Sequence, residues 1–316
     1  MRQLRTQRAL AIFPEANLNV PNERALQFVL LIIVGATWGM TNPLAKISVS
    51  TGYSPLGIMF WQLVIVISFA GFVLVMRGHR LPLHRKALVL YAVIALTGTL
   101  IPDFLLYTSA AHIPAGILSI IMAVSPMIAL PMALLIGIER FDMRRTIGTV
   151  LGLGAVVLMV GPKDGLAGPT ETVFALVALC SAAFYAVQGN FIIWYSQTDI
   201  GPMRMLVGSS ALGLLVITPF VVATDQFIDP RGIWTSVEWA IVGTGGLHAL
   251  AYAGYLALIA QSGPVFASQV AYVVTATGML WSILLLSEGY SNWVWLSFVL
   301  VMIAIRLVQP RRTRPL

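Results

Sequence analysis

The chain has 316 residues, of which 58% are hydrophobic and 10% charged, with a mean hydropathy of +0.88 and a formal net charge of +7. Soluble domains carry about 25% charged residues, so this composition leaves too little polar surface for water and places the chain in a bilayer. The basic residues are scattered among short connections with no aromatic-interleaved basic domain, which argues against a nucleic-acid partner and for charge that sets membrane topology.

Residues 1–25 hold Arg2, Arg5 and Arg8 but no long apolar core or small-residue cleavage site, and are expected to form a cytoplasmic tail rather than a cleaved signal. Apolar runs then divide at turn residues and charges into ten expected spans: 26–50, 55–76, 87–107, 114–137, 146–160, 172–195, 203–223, 237–260, 265–287 and 292–308. The fifth is short for a crossing.

The first span carries Gly35, Trp38, Gly39, Asn42, Pro43 and Lys46. At helical spacing Gly35, Gly39, Asn42 and Lys46 share a face, with Trp38 beside it. An ionisable residue in a span faces a bundle interior or a watered cavity rather than lipid, so Trp38, Asn42 and Lys46 are candidates for substrate binding or coupling. In the third span Thr99, Asp103 and Tyr107 recur at four-residue spacing and join the candidates. Lys46 and Asp103 both lie a little inside the same end of their spans, so they are expected to meet and hold each other's charge. A structural ion pair near the interface is the plainer alternative, with Lys46 reaching out to the headgroups.

The fourth span begins near Gly116, contains Pro126 and Pro131, which are expected to bend it, and ends in Gly137 and Glu139. Glu139 is expected to join an interfacial cluster with Arg140, Arg144 and Arg145. The sixth span holds the single cysteine, Cys180, which has no partner for an intramolecular disulfide. It also places Phe184, Gln188, Phe191 and Tyr195 along one face. The eighth offers His248, Tyr252 and Tyr255 as one stripe, and the ninth Gln269 and Tyr272. Histidine exchanges protons near neutral pH, though one imidazole on an apolar face also serves as hydrogen-bonding glue between helices. Aromatic walls with a few amides suit a flat or amphipathic ligand, which makes Phe184, Gln188, His248, Tyr252, Tyr255, Gln269 and Tyr272 candidates. Packing and interfacial anchoring are the alternatives, above all for Trp194, Tyr195 and Trp293 near span ends.

Orientation follows from loop charge, because Lys and Arg accumulate on the cytoplasmic side. With the N-terminus inside, Arg2, Arg5, Arg8, Arg24, Arg77, Arg80, Arg85, Lys86, Arg140, Arg144, Arg145, Arg204, Arg306, Arg311, Arg312 and Arg314 are cytoplasmic, sixteen of the 19 basic residues. Only Lys163 and Arg231 fall outside, and Lys46 lies in the membrane. Both termini are therefore expected in the cytoplasm.

The chain also repeats. Ala110-Ala-His-Ile-Pro114 opens a span that ends near Glu139, and Ala260-Gln-Ser-Gly-Pro264 opens one that ends near Glu288; the prolines are 150 and the glutamates 149 positions apart. Each half has five spans, an odd number, so the halves must insert in opposite senses, as in many secondary transporters. The expected architecture is an all-α polytopic membrane protein of ten transmembrane helices, in two inverted repeats at 26–162 and 163–310, with a tail at 311–316.

Trp38, Gly39 and Asn42 in the first span, a fourth span after a short Pro-containing hairpin ending in Gly137 and Glu139, and the duplication of this order resemble the EamA branch of the drug/metabolite transporter superfamily. The resemblance runs from about residue 26 to 308. It implies a ten-helix basket with a central cavity lined by helices one, three and four of each half. It further implies secondary transport, in the direction of export, of small metabolites such as amino acids and amphipathic or aromatic compounds across a bacterial inner membrane by alternating access, with protons as the candidate coupling ion. The second half departs from the pattern: Phe184-Tyr185 stands near the expected Trp-Gly, and Thr275-Ala276 replaces Pro126.

No HExxH, no dense histidine cluster and no GxxxxGK[ST] occurs, so no enzyme, metal centre or cofactor is expected. Gly208-Ser209-Ser210 lacks a paired histidine at a matching depth and reads as helix packing. A membrane sensor or subunit that transports nothing is the alternative function, since a polar cavity does not prove flux.

Overall fold

A computed structural model describes residues 23–161, 168–195 and 200–309. Arg2, Arg5 and Arg8, Lys163, the 162/163 boundary and the basic residues from Arg311 onward lie outside the described residues. Among those described the fold is helical throughout, without strands. Eight stretches are long and apolar enough to cross a membrane: Ala25–Ser48, Pro55–Met76, Arg85–Ala110, Ala115–Leu135, Met143–Val160, Pro169–Tyr195, Pro202–Ala223 and Ser236–Gly263. The fifth is long enough after all. Two further apolar helices, Val270–Leu286 and Asn292–Val308, have 17 residues each. At 1.5 Å per residue these reach about 26 Å, slightly short of a hydrocarbon core of about 30 Å.

Several spans are interrupted, and proline explains where. The first divides into α1 (Glu23–Gly39) and α2 (Thr41–Ser48). The third divides into α4 (Arg85–Ala95), a π-turn (Leu96–Leu100) and α5 (Ile101–Ala110), with α3 (Pro55–Met76) before it. The fourth divides into α6 (Ala115–Met122) and α7 (Ser125–Leu135). A proline has no N–H for the carbonyl four residues earlier. For Pro43, Pro102 and Pro126 that carbonyl belongs to Gly39, Gly98 and Met122, which end α1, lie in the π-turn and end α6.

The remaining helices are α8 (Met143–Val160), α9 (Pro169–Tyr195), α10 (Pro202–Ala223), α11 (Ser236–Ala267), α12 (Val270–Leu286) and α13 (Asn292–Val308). The eighth and ninth spans are not separated by a loop. Helical structure continues past a break at Gly263, where φ is 79° and ψ 163°, to Ala267. The first turn expected of the ninth span is thereby absorbed into α11, which is why α12 is short.

At the centre lies α6, whose residues from Ala115 to Ile121 are all buried. It packs on α9 and α12, while α1 packs on α11 and α12, α3 on α10 and α11, α4 on α10, α5 and α7 on α9, and α8 on α13. Outward faces carry apolar side chains such as Ile32, Ile33, Phe72, Val157 and Leu284, each more than half exposed and suited to lipid.

Candidate functional site

Two polar groupings are built between spans. The first brackets the connection between the third and fourth spans. Lys46 Nζ donates to the carbonyls of Ala110, at 3.0 Å, and Ile113, at 2.9 Å. Carbonyls at a helix C-terminus have no intrahelical donor and carry the negative end of the helix dipole, so the end of α5 is a natural seat for an ammonium. Four residues earlier on α2, the Asn42 amide donates to Ser119 Oγ at 2.9 Å, tying the first span to α6.

At the start of α6 the charges are reversed. Glu288, just beyond α12, accepts from the backbone N–H of Ala115 at 2.9 Å and of Gly116 at 3.2 Å. Tyr290 donates to Glu288, shares a hydrogen bond with Ser282 and accepts from the Gly116 N–H. Burial first, and then the Glu288 carboxylate, push the Tyr290 phenol up, which keeps it protonated as a donor. A side chain on Gly116 would run into the Tyr290 hydroxyl, so the position needs glycine.

The second grouping surrounds Asp103, and it corrects the expected pair. Lys46 and Asp103 form no ion pair: the ammonium is taken by helix-end carbonyls, and Asp103 is held by neutral side chains. The Tyr185 hydroxyl on α9 donates to Asp103 Oδ1 at 2.5 Å, and Gln62 Nε2 on α3 approaches Oδ2 at 3.4 Å. Tyr107 donates to Gln62 Oε1 at 2.6 Å. Asp103 and Tyr107 are buried, whereas Thr99 lies in the π-turn, half-buried, and takes no part in these bonds. The wide turn upsets the four-residue register that would have kept all three together.

The structure brings aromatic candidates of α1 and α11 together. Trp38 stands edge-on to His248 and to Tyr255, each with ring centroids 5.8 Å apart. Among the described residues His248 has this ring contact and no hydrogen-bond partner. Tyr252 points its hydroxyl to the Pro202 carbonyl at 3.5 Å. Gln188 packs over Gly98 of the π-turn, and Phe184 is half-buried on the same helix. Gln269 sits in the turn before α12, and the Tyr272 hydroxyl is buried with no partner among the described residues. Neither joins the two groupings through a hydrogen bond or ring contact. Glu139 pairs with Arg145 alone of the three nearby arginines, at 2.7 Å. Trp61, Trp234 and Glu238 line a separate half-open groove of about 180 Å³ between α3 and α11 that contains neither grouping.

Gln62, Tyr185, Ser119, Glu288 and Tyr290 were not among the expected site residues. Gln62 had a signal, being the lone amide in an otherwise apolar span, and Glu288 had one as the repeat counterpart of Glu139. Because the Lys46 and Asp103 seats share no side chain, Lys46→Met and Asp103→Asn are expected to destabilise additively, to within about 0.5 kcal/mol, in denaturant unfolding of the detergent-solubilised protein. A coupling several times larger would restore the direct pair.

The fold and these groupings define a polytopic helical membrane protein with polar clusters buried between its spans. Residues 26–161 match the model of the EamA-like transporter family. It is 26% identical over 291 residues to the uncharacterized inner membrane transporter YedA of Escherichia coli K12, a match covering 89% of this chain and 88% of that protein. The same values hold for YedA of E. coli O157:H7. A crystal structure described only as that of a protein shares the fold at 18% identity, with a TM-score of 0.59 over 90% of this chain and 98% of that one.

Proposed function

We propose that this protein is a secondary transporter of the bacterial inner membrane. It exports small metabolites, amino acids or other amphipathic and aromatic compounds, by alternating access between two inverted five-span halves, 26–162 and 163–310. The observation that carries this reading is that side chains of the two halves meet in counterpart positions. Trp38 of the first span meets His248 and Tyr255 of the eighth, and Tyr185 of the sixth meets Asp103 of the third. Helix packing supports the same relation. The contacts of α1 with α11 and α12 have counterparts in those of α9 with α5 and α7, and α3 with α11 in α10 with α4.

The YedA likeness supports transport and the inner membrane. Loop charge supports cytoplasmic termini, which puts the Lys46 and Glu288 seats at the outer end of the bundle. The aromatic set of Trp38, His248, Tyr252 and Tyr255 suits the flat face of an aromatic or amphipathic solute.

The test is flux in sealed proteoliposomes with radiolabelled phenylalanine and tryptophan as probes, alongside protection of a cysteine placed at Tyr252 from a thiol reagent. A transporter shows saturable flux for the probes that protect. Protection without flux, for every protecting probe, would make it a sensor instead.

A further inference from the structure

Asp103 is a buried carboxylate without a cation. It is 7% exposed and lies within the Arg85–Ala110 stretch, and its side-chain partners are the neutral Tyr185 and Gln62. The elements packed on α5 offer no positive charge to it. From α9 comes Tyr185, from α3 Gln62, and from its own helix Tyr107, whose hydroxyl goes to Gln62. Lys46 on α2 is turned to the Ala110 and Ile113 carbonyls, while α6 and the π-turn carry no titratable side chain.

This partner set fits an acid that changes state. A carboxylate kept charged inside a bundle is ordinarily held by Lys or Arg, and an acid kept neutral needs a fixed acceptor for its proton. Hydroxyls and a carboxamide supply either role, since a phenol donates or accepts and an amide carries both functions on one side chain. As seen, Gln62 turns Nε2 to Asp103 and Oε1 to the Tyr107 hydroxyl. Half a turn of that amide presents Oε1 to a protonated Asp103 and Nε2 to the Tyr107 oxygen. The Asp103 carboxyl is then served in both protonation states without movement of the backbone, while the Tyr107 hydroxyl changes from donor to acceptor toward Gln62 and must turn its own proton elsewhere.

We infer that Asp103, Gln62, Tyr107 and Tyr185 form a proton-binding site, in which a carboxylate oxygen of Asp103 takes one proton from water and later returns it to water. The site straddles the halves, with three residues from the first and Tyr185 from the second. Relative motion of the halves makes or breaks the Tyr185 bond that stabilises the charged form, which links proton release to conformation. The adjoining π-turn belongs to a class of helix irregularity frequent at functional sites. The inference rests on the transporter reading for what the proton drives, but the site is testable without flux.

Infrared titration of the purified full chain in detergent reads the proton directly. The expected result is a protonated-carboxyl carbonyl band that rises as pH falls, is missing from Asp103→Asn and is kept in Lys46→Met. Tyr185→Phe should displace the pH at which the band appears by about one unit or more, and it carries the test if Asp103→Asn fails to fold. No titrating band assignable to Asp103 between roughly pH 4 and 9, or an unmoved one in Tyr185→Phe, overturns the site. In proteoliposomes Asp103→Asn should lose the accumulation of labelled phenylalanine under an imposed pH gradient at least about tenfold. Undiminished accumulation would overturn the coupling role. A wild-type protein whose band titrates but which moves no probe leaves the proton site standing and removes the transporter reading.

Discussion

Gly39→Val is expected to leave little folded protein after extraction into detergent, seen as loss of the monodisperse peak in size-exclusion chromatography. Gly39 ends α1 where it crosses α12. A Cβ there would stand 2.8 Å from the Val274 carbonyl oxygen and 2.9 Å from the Gly278 nitrogen, and would press on Thr277 Oγ1. Two of the three obstacles are backbone, which cannot rotate away, so the helices themselves must part. Overpacking of a tight core typically costs about 1–3 kcal/mol, and displacing backbone belongs at or above the top of that range. Close approach through small residues is what holds membrane helices together once lipid removes the hydrophobic drive between them, so the loss is not regained elsewhere. Gly246→Ala is the control: a Cβ there meets nothing within 4 Å. Equal damage from both substitutions would show that glycine matters here for some reason other than contact.

Glu288→Ala should lower unfolding stability in detergent by about 2–4 kcal/mol, because two N–H groups at the start of α6 lose a charged acceptor. Water replaces it poorly, since Ile113 and Ala115 are fully buried. Tyr290 loses its acceptor in the same stroke. Glu288→Gln keeps one acceptor oxygen and is expected to cost about half as much. An unchanged unfolding midpoint in Glu288→Ala would mean that the carboxylate contributes nothing to holding α6 in place.

The spans could be read from the chain because a bilayer demands a run of about 20 apolar residues and few other patterns satisfy it. The interruptions were half legible. Pro126 marked the break in the fourth span, but whether the carbonyl freed by a proline ends a helix, as at Met122, or widens a turn, as at Gly98, depends on neighbours absent from local sequence. Helical spacing put His248, Tyr252 and Tyr255 on one stripe, but that this stripe meets Trp38 is seen only in the structure.

The partners of the charges did not follow in that way. Lys46 and Asp103 were matched by depth and opposite sign, yet Lys46 chose carbonyls at a helix end, which every residue type supplies and none advertises. Glu288 likewise bonds backbone amides, whereas its counterpart Glu139 finds Arg145. Residue identity forecasts contacts between side chains better than contacts with the main chain.

The π-turn at Leu96–Leu100 sets a rule about length rather than about composition. One residue advances an α-helix by about 100°, so the extra residue fixes the rotation of α4 relative to α5. Upstream of it, Leu90, Tyr91 and Ile94 are buried beside Met205, while downstream Asp103 and Tyr107 face Gln62. Removing any one of the five residues would straighten the helix and swing one of those faces toward lipid. A deletion here thus acts at a distance, through the rotation of the two flanking helices, whereas a side chain added at Gly98 acts locally, against Gln188.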